Sequence, residues 1–134
     1  MSQEMENSPP LLHDGIATHN TLPLLHEIRH ALERLVQTGE PTVIDLRAIP
    51  LTPTEERELE TLLGHGEVDC QINTLGKSSA RETAITGVWW ISHYNSEDEL
   101  MARSIEVTTI PTIIPSDKES IREGLTTIVT LLEQ

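Results

Sequence analysis

The stretch SARETAITGVWWISHY, Ser79 to Tyr94, decides how the rest of the chain must be arranged. Two runs with strand character, Ser79 to Ile85 and Val88 to Tyr94, flank Gly87, which reads as a bulge or a tight bend. Consecutive strand residues project to opposite faces, so Trp89 and Trp90 cannot enter the same core. The chain has no Phe, and Trp89, Trp90 and Tyr94 are its whole stock of aromatic residues. If one indole packs beneath helices, the other needs a second cover: a helix of the same chain, a second copy, or a client protein. Exposed Trp is enriched at binding hot spots, which makes this pair the first candidate for a contact surface.

Moving outward, Asn95-Ser96-Glu97-Asp98 supplies turn residues, and Met101 to Ile110 alternates again, with Ile105 and Val107 on one face and Pro111 and Pro115 at its end. On the other side, Val68, Cys70 and Ile72 alternate with polar residues from Glu67 to Leu75, and Gly76-Lys77 makes a turn. Three helical patterns surround these strands. Thr21 to Gly39 spaces Leu24, Leu25, Ile28, Leu32, Leu35 and Val36 as one apolar stripe, with Thr21 as the expected cap. Between it and the next helix, Thr42 to Leu46 reads as a short buried strand. Thr52, Pro53 and Glu55 form a capping box opening a helix whose apolar face is Leu59, Leu62 and Leu63. Ser116 and Glu119 open a last helix, where Ile121, Leu125, Ile128, Val129 and Leu132 are expected to form a buried stripe. The class is therefore α+β, an antiparallel or mixed sheet of four to five strands packed against two to three helices. A single domain over 21–134 is expected, preceded by a flexible arm over 1–20.

A net charge of −13 and an isoelectric point near 4.7 oppose binding to nucleic acid or an anionic membrane, since both need clustered Lys and Arg. No apolar run approaches the length of a membrane span, and no signal-like segment opens the chain, so a cytoplasmic location is expected. Cys70 is the sole cysteine, which excludes an internal disulfide and a four-cysteine metal centre.

Catalytic constellations are sparse. The sequence has no Gly-rich phosphate loop, no G-x-S-x-G elbow and no H-E-x-x-H pair. His26 and His30, four apart on a helix, lack an identifiable third ligand. His65, Cys70 and His93, with Glu82, are the residues a small metal- or thiol-dependent enzyme would use. A buried structural cysteine is the blander reading of Cys70, and a cross-strand ion pair the blander reading of Arg81 or Glu82.

Three pieces in order, Gly66-Glu67-Val68, then Glu82-Thr83-Ala84-Ile85-Thr86-Gly87-Val88-Trp89, then Ile105-Glu106-Val107-Thr108-Thr109-Ile110-Pro111, resemble the C-terminal domain of the hydrogenase expression protein HupH, HyaF or HoxQ family. The resemblance spans about Leu59 to Pro115. It implies a nickel–iron hydrogenase maturation factor: a chaperone or scaffold without enzymatic activity or cofactor, whose partners are a hydrogenase subunit precursor, the iron–sulfur small subunit, or other maturation proteins. The matching positions are Gly66, Glu67, Glu82, Thr83, Gly87, Val88, Trp89, Glu106 and Pro111. The expected partner-binding set is Glu82, Thr83, Gly87, Trp89, Trp90 and Glu106. Relatives of the family are about twice as long and look like two related halves, so a homodimer, the second copy standing for the other half, is expected.

Overall fold

The computed structural model describes residues 20–73 and 75–134. Helix α1 runs Thr21–Thr38, strand β1 Thr42–Asp45, a 3-10 turn Leu46–Ala48, and helix α2 Pro53–Leu63. Strands β2 (Asp69–Asn73), β3 (Lys77–Glu82), β4 (Val88–Tyr94) and β5 (Leu100–Val107) follow, then helix α3 (Lys118–Leu132). The five strands form one sheet in the order β1-β5-β4-β3-β2, every neighbouring pair antiparallel. This is the α+β class expected, and the aromatic strand β4 is its centre. The expected arm over 1–20 lies, apart from Asn20, outside the described residues.

One face of the sheet is the main core. Leu24, Ile28 and Ala31 of α1 and Leu59 and Leu63 of α2 pack on Ile44, Val88, Trp90, Ile105 and Val107, with Leu25, Leu32 and Leu35 at the margin. Val36, at 85% exposure, lies outside this stripe, contrary to expectation. Helix α1 ends as expected at Gly39, whose φ of +79° gives the left-handed cap that an L side chain enters at a cost. Its start differs: Asn20 precedes the first turn, and Thr21 is buried with its hydroxyl donating to Glu58 Oε1 at 3.2 Å. The α2 capping box forms as read, with Thr52 Oγ1 accepting from Glu55 N–H and Glu55 Oε1 accepting from Thr52 N–H, both at 3.0 Å.

Three further expectations are corrected. Strand β1 sits at the sheet edge, so Ile44 is buried while Val43 is 61% exposed. Helix α3 is capped by Asp117, accepting from Ser120 N–H at 2.7 Å, in place of Ser116. No residue of α3 is buried: Ile121, Leu125, Ile128, Val129 and Leu132 range from 43 to 78% exposed. The stripe exists, but residues 108–114 run across the outer face of the sheet before the helix begins, and none of the described residues buries it.

Candidate functional site

Antiparallel register aligns Glu82, Trp89 and Glu106 across β3, β4 and β5, so the three motif pieces read from the sequence meet in one row on the face opposite the main core. Ala80 and Ile91 make the next row of that face, and Ser78 and His93 the one after. Val43 extends the first row at one edge, opposite Glu106, while Cys70 extends the second at the other, opposite Ala80.

The two indoles do part to opposite faces, but neither stands free. Trp90 enters the main core at 4% exposure, and Trp89 on the outer face is 5% exposed. The expectation of one exposed ring is therefore corrected. The cover comes from the same chain: residues 108–114 cross the outer face, with Ile113 and Ile114 packed on Ala80, Trp89 and Ile91. The strap is pinned by polar contacts. Trp89 Nε1–H donates to the Thr108 carbonyl at 3.2 Å, and Glu106 Oε1 accepts from Thr112 N–H at 3.3 Å. Pro111, within the strap, is fully buried.

The remaining family positions build the bend that delivers β4. Thr83 is buried; its hydroxyl donates to the Val88 carbonyl at 2.9 Å and accepts from Ile85 N–H at 3.1 Å. Thr83 N–H also donates to the Val88 carbonyl, at 2.9 Å, closing the turn. Gly87 has φ +91°, a conformation that strains any L side chain. Gly66 packs so closely that an added Cβ would lie 2.5 Å from the Thr83 carbonyl oxygen and 3.0 Å from Glu82 Oε1. Of the expected partner-binding residues, Thr83, Trp89, Trp90 and Glu106 are buried, and Glu82 and Gly87 are half-buried.

On the helix side, Trp90 lies between two arginines, with guanidinium carbons 6.0 Å (Arg81) and 5.7 Å (Arg103) from its ring centroid. Arg81 pairs with Glu60 of α2 at 2.7 Å, which replaces the cross-strand partner expected for it. Arg103 pairs with Glu56 of α2 and donates to Ser92 Oγ and Tyr94 Oη, each at 3.1 Å. Both ion pairs clamp α2 to the sheet over the indole.

The three residues of the enzymatic reading are not brought together. His65 follows α2 on the helix side, where its Nδ1 is 2.8 Å from Arg81 Nη1. His93, on the opposite face, is 2.8 Å from Ser78 Oγ through Nδ1. Cys70 is on the edge strand β2, with β3 between it and β4. Among the described residues no group of three or more His, Cys, Asp or Glu side chains is placed to share a metal ion. Among the same residues no helix is long and apolar enough to cross a membrane.

Comparison with known proteins agrees with this arrangement. The family described as HupH hydrogenase expression protein, C-terminal conserved region, matches residues 18–134. The match extends past the motifs on both sides to include all three helices. The chain is 34% identical over 115 residues to the hydrogenase expression/formation protein HoxQ of Azotobacter vinelandii, covering 84% of this chain and 40% of that protein. It is 32% identical over 124 residues to the hydrogenase expression/formation protein HupH of Rhodobacter capsulatus, covering 92% of this chain and 44% of that one. The chain thus spans less than half the length of these curated relatives. Among solved structures it is similar to the hydrogenase expression protein HupH from Thiobacillus denitrificans, with a TM-score of 0.80 and 38% identity over 85% of this chain and 95% of that one.

Proposed function

Since this chain belongs to the HupH hydrogenase expression protein family, through its C-terminal conserved region, we propose that it is a nickel–iron hydrogenase maturation factor acting as a non-enzymatic chaperone or scaffold. Its client is a hydrogenase subunit precursor, the iron–sulfur-bearing small subunit, met in the cytoplasm, and it works as a homodimer without a cofactor. The observation that carries this reading is the family match over 18–134, in which the motif residues build a shaped sheet face and leave His65, Cys70 and His93 apart.

The outer sheet face is the client surface in this reading. Trp89 and Glu106 hold the strap in place, Thr83 and Gly87 set the bend of β4, Trp90 anchors the sheet from below, and the half-buried Glu82 lies at the rim. Val43, on the same face, and Val68, just before β2, are exposed and supply the apolar margin. Burial of that margin would provide affinity, and Glu82 the charge that selects a partner.

Co-purification tests it. The 134-residue chain should retain a tagged small-subunit precursor, and V43K together with V68K should lose it while keeping the wild-type circular-dichroism spectrum. Equal retention by wild type and the double variant would remove the outer face as the client surface. Retention of the large subunit alone would remove the assigned client.

A further inference from the structure

Helix α3 is fully formed and amphipathic, no described residue covers it, and its sequence indicates what should. Ile121, Leu125, Ile128 and Leu132 are spaced four, three and four residues apart, the spacing of alternating d and a positions in a two-stranded helical seam. All four are exposed, as are Val129 and Leu131 beside them, so the apolar residues form one contiguous stripe along the helix, and contiguous exposed apolar surface marks an interaction site. Gly124 flanks the seam, and an added Cβ there would meet nothing within 4 Å.

We infer that α3 is an association helix whose partner is α3 of a second copy of this chain, running antiparallel across a two-fold axis. The seam is self-complementary in that orientation. With the axis between Leu125 and Ile128, Ile121 of each copy lies against the other's Leu132, and Leu125 against the other's Ile128, so four layers close with no residue unmatched.

Charge selects the same direction. On the helical wheel Lys118, Arg122, Val129 and Glu133 share one flank of the stripe, the two cations near the start and the acid just past the end. Antiparallel pairing sets Glu133 of each copy between Lys118 and Arg122 of the other. Parallel pairing would align Lys118 with Lys118 and Glu133 with Glu133. Among the described residues of one copy Arg122 pairs with the exposed Glu119, at 3.3 Å, and its planar fork has further N–H groups for a second carboxylate. Opposed helix dipoles add to the preference.

It specifies the interface of the homodimer proposed above and rests on that part of the reading, while the client assignment is tested separately by co-purification. Light scattering of the full chain should give twice the 15.0 kDa chain mass at tens of micromolar. The double variant L125E/I128E should return the chain mass, with an unchanged thermal midpoint for the sheet, because α3 holds no core residue. A second measurement avoids new charges. In a C70S background, L125C chains mixed with I128C chains should oxidise to the mixed disulfide in at least tenfold excess over either like pair. A wild-type monomer across that range would overturn the proposal. So would a dimer that survives L125E/I128E, as would like-pair disulfides, the signature of parallel helices, or no disulfide, the signature of α3 seated on the partner's sheet.

Discussion

The guanidinium of Arg103 lies over the ring of Trp90, 5.7 Å from its centroid, while the same side chain reaches Glu56, Ser92 and Tyr94. One arginine thus ties together α2, β4 and β5 around the only large aromatic of the main core.

Trp90→Ala should cost about 3–5 kcal/mol, the range for emptying a large buried aromatic site. Arg103→Lys keeps the charge but cannot reproduce the planar fork, and should cost about 1–3 kcal/mol through unpaired Ser92, Tyr94 and Glu56. Urea unfolding with unchanged slope measures both. Two wild-type-like midpoints would show that the clamp contributes nothing.

The turn before β4 offers a test of the hydroxyl of Thr83. Thr83→Val keeps the shape and leaves Ile85 N–H without its partner, for a loss of about 1–3 kcal/mol. Thr83→Ser should restore most of it. A Val variant as stable as wild type would make the side chain a mere space filler.

Two glycines should fail for different reasons. Gly87→Ala has room, its nearest neighbour being 3.6 Å from the added atom, and should lose about 1–2 kcal/mol from its positive φ alone. At Gly66 the limit is space, because the Thr83 carbonyl would be 2.5 Å from the new methyl, so Gly66→Ala should cost more and shift the amide resonances of Thr83 and Glu82. Equal costs and an unmoved Thr83 amide would contradict this contrast.

Acid should loosen the start of α2. The backbone N–H of Thr52 foremost, with further bonds from Asn20 and the Thr52 side chain, holds the Glu55 carboxyl below its ordinary value despite the opposing effect of burial. A depressed folded-state pKa adds stability that is complete above the unfolded value of about 4.3 and disappears as pH falls through the lower folded value. The thermal midpoint of wild type should therefore fall more steeply below about pH 5 than that of Glu55→Gln. Parallel curves would refute the linkage.

Much of the fold was legible in residues whose meaning is local. The capping box at Thr52 and Glu55, the stop at Gly39 and the strand from Val88 to Tyr94 each depend on backbone geometry a few residues long, and each forms as read. The opposite facing of Trp89 and Trp90 is likewise a property of any strand. What covers each ring is not local. Residues 108–114 fold over Trp89 only because β5 delivers them to the outer face, and the ion partners of Arg81 and Arg103 come from a helix more than 20 residues away. Periodicity placed an apolar stripe on both α1 and α3, yet α1 is buried and α3 is bare. A helix's sequence fixes which side is apolar, whereas burial needs a second surface within reach, and the path of the chain in three dimensions decided that α1 lies on the sheet while α3 meets no such surface among the described residues.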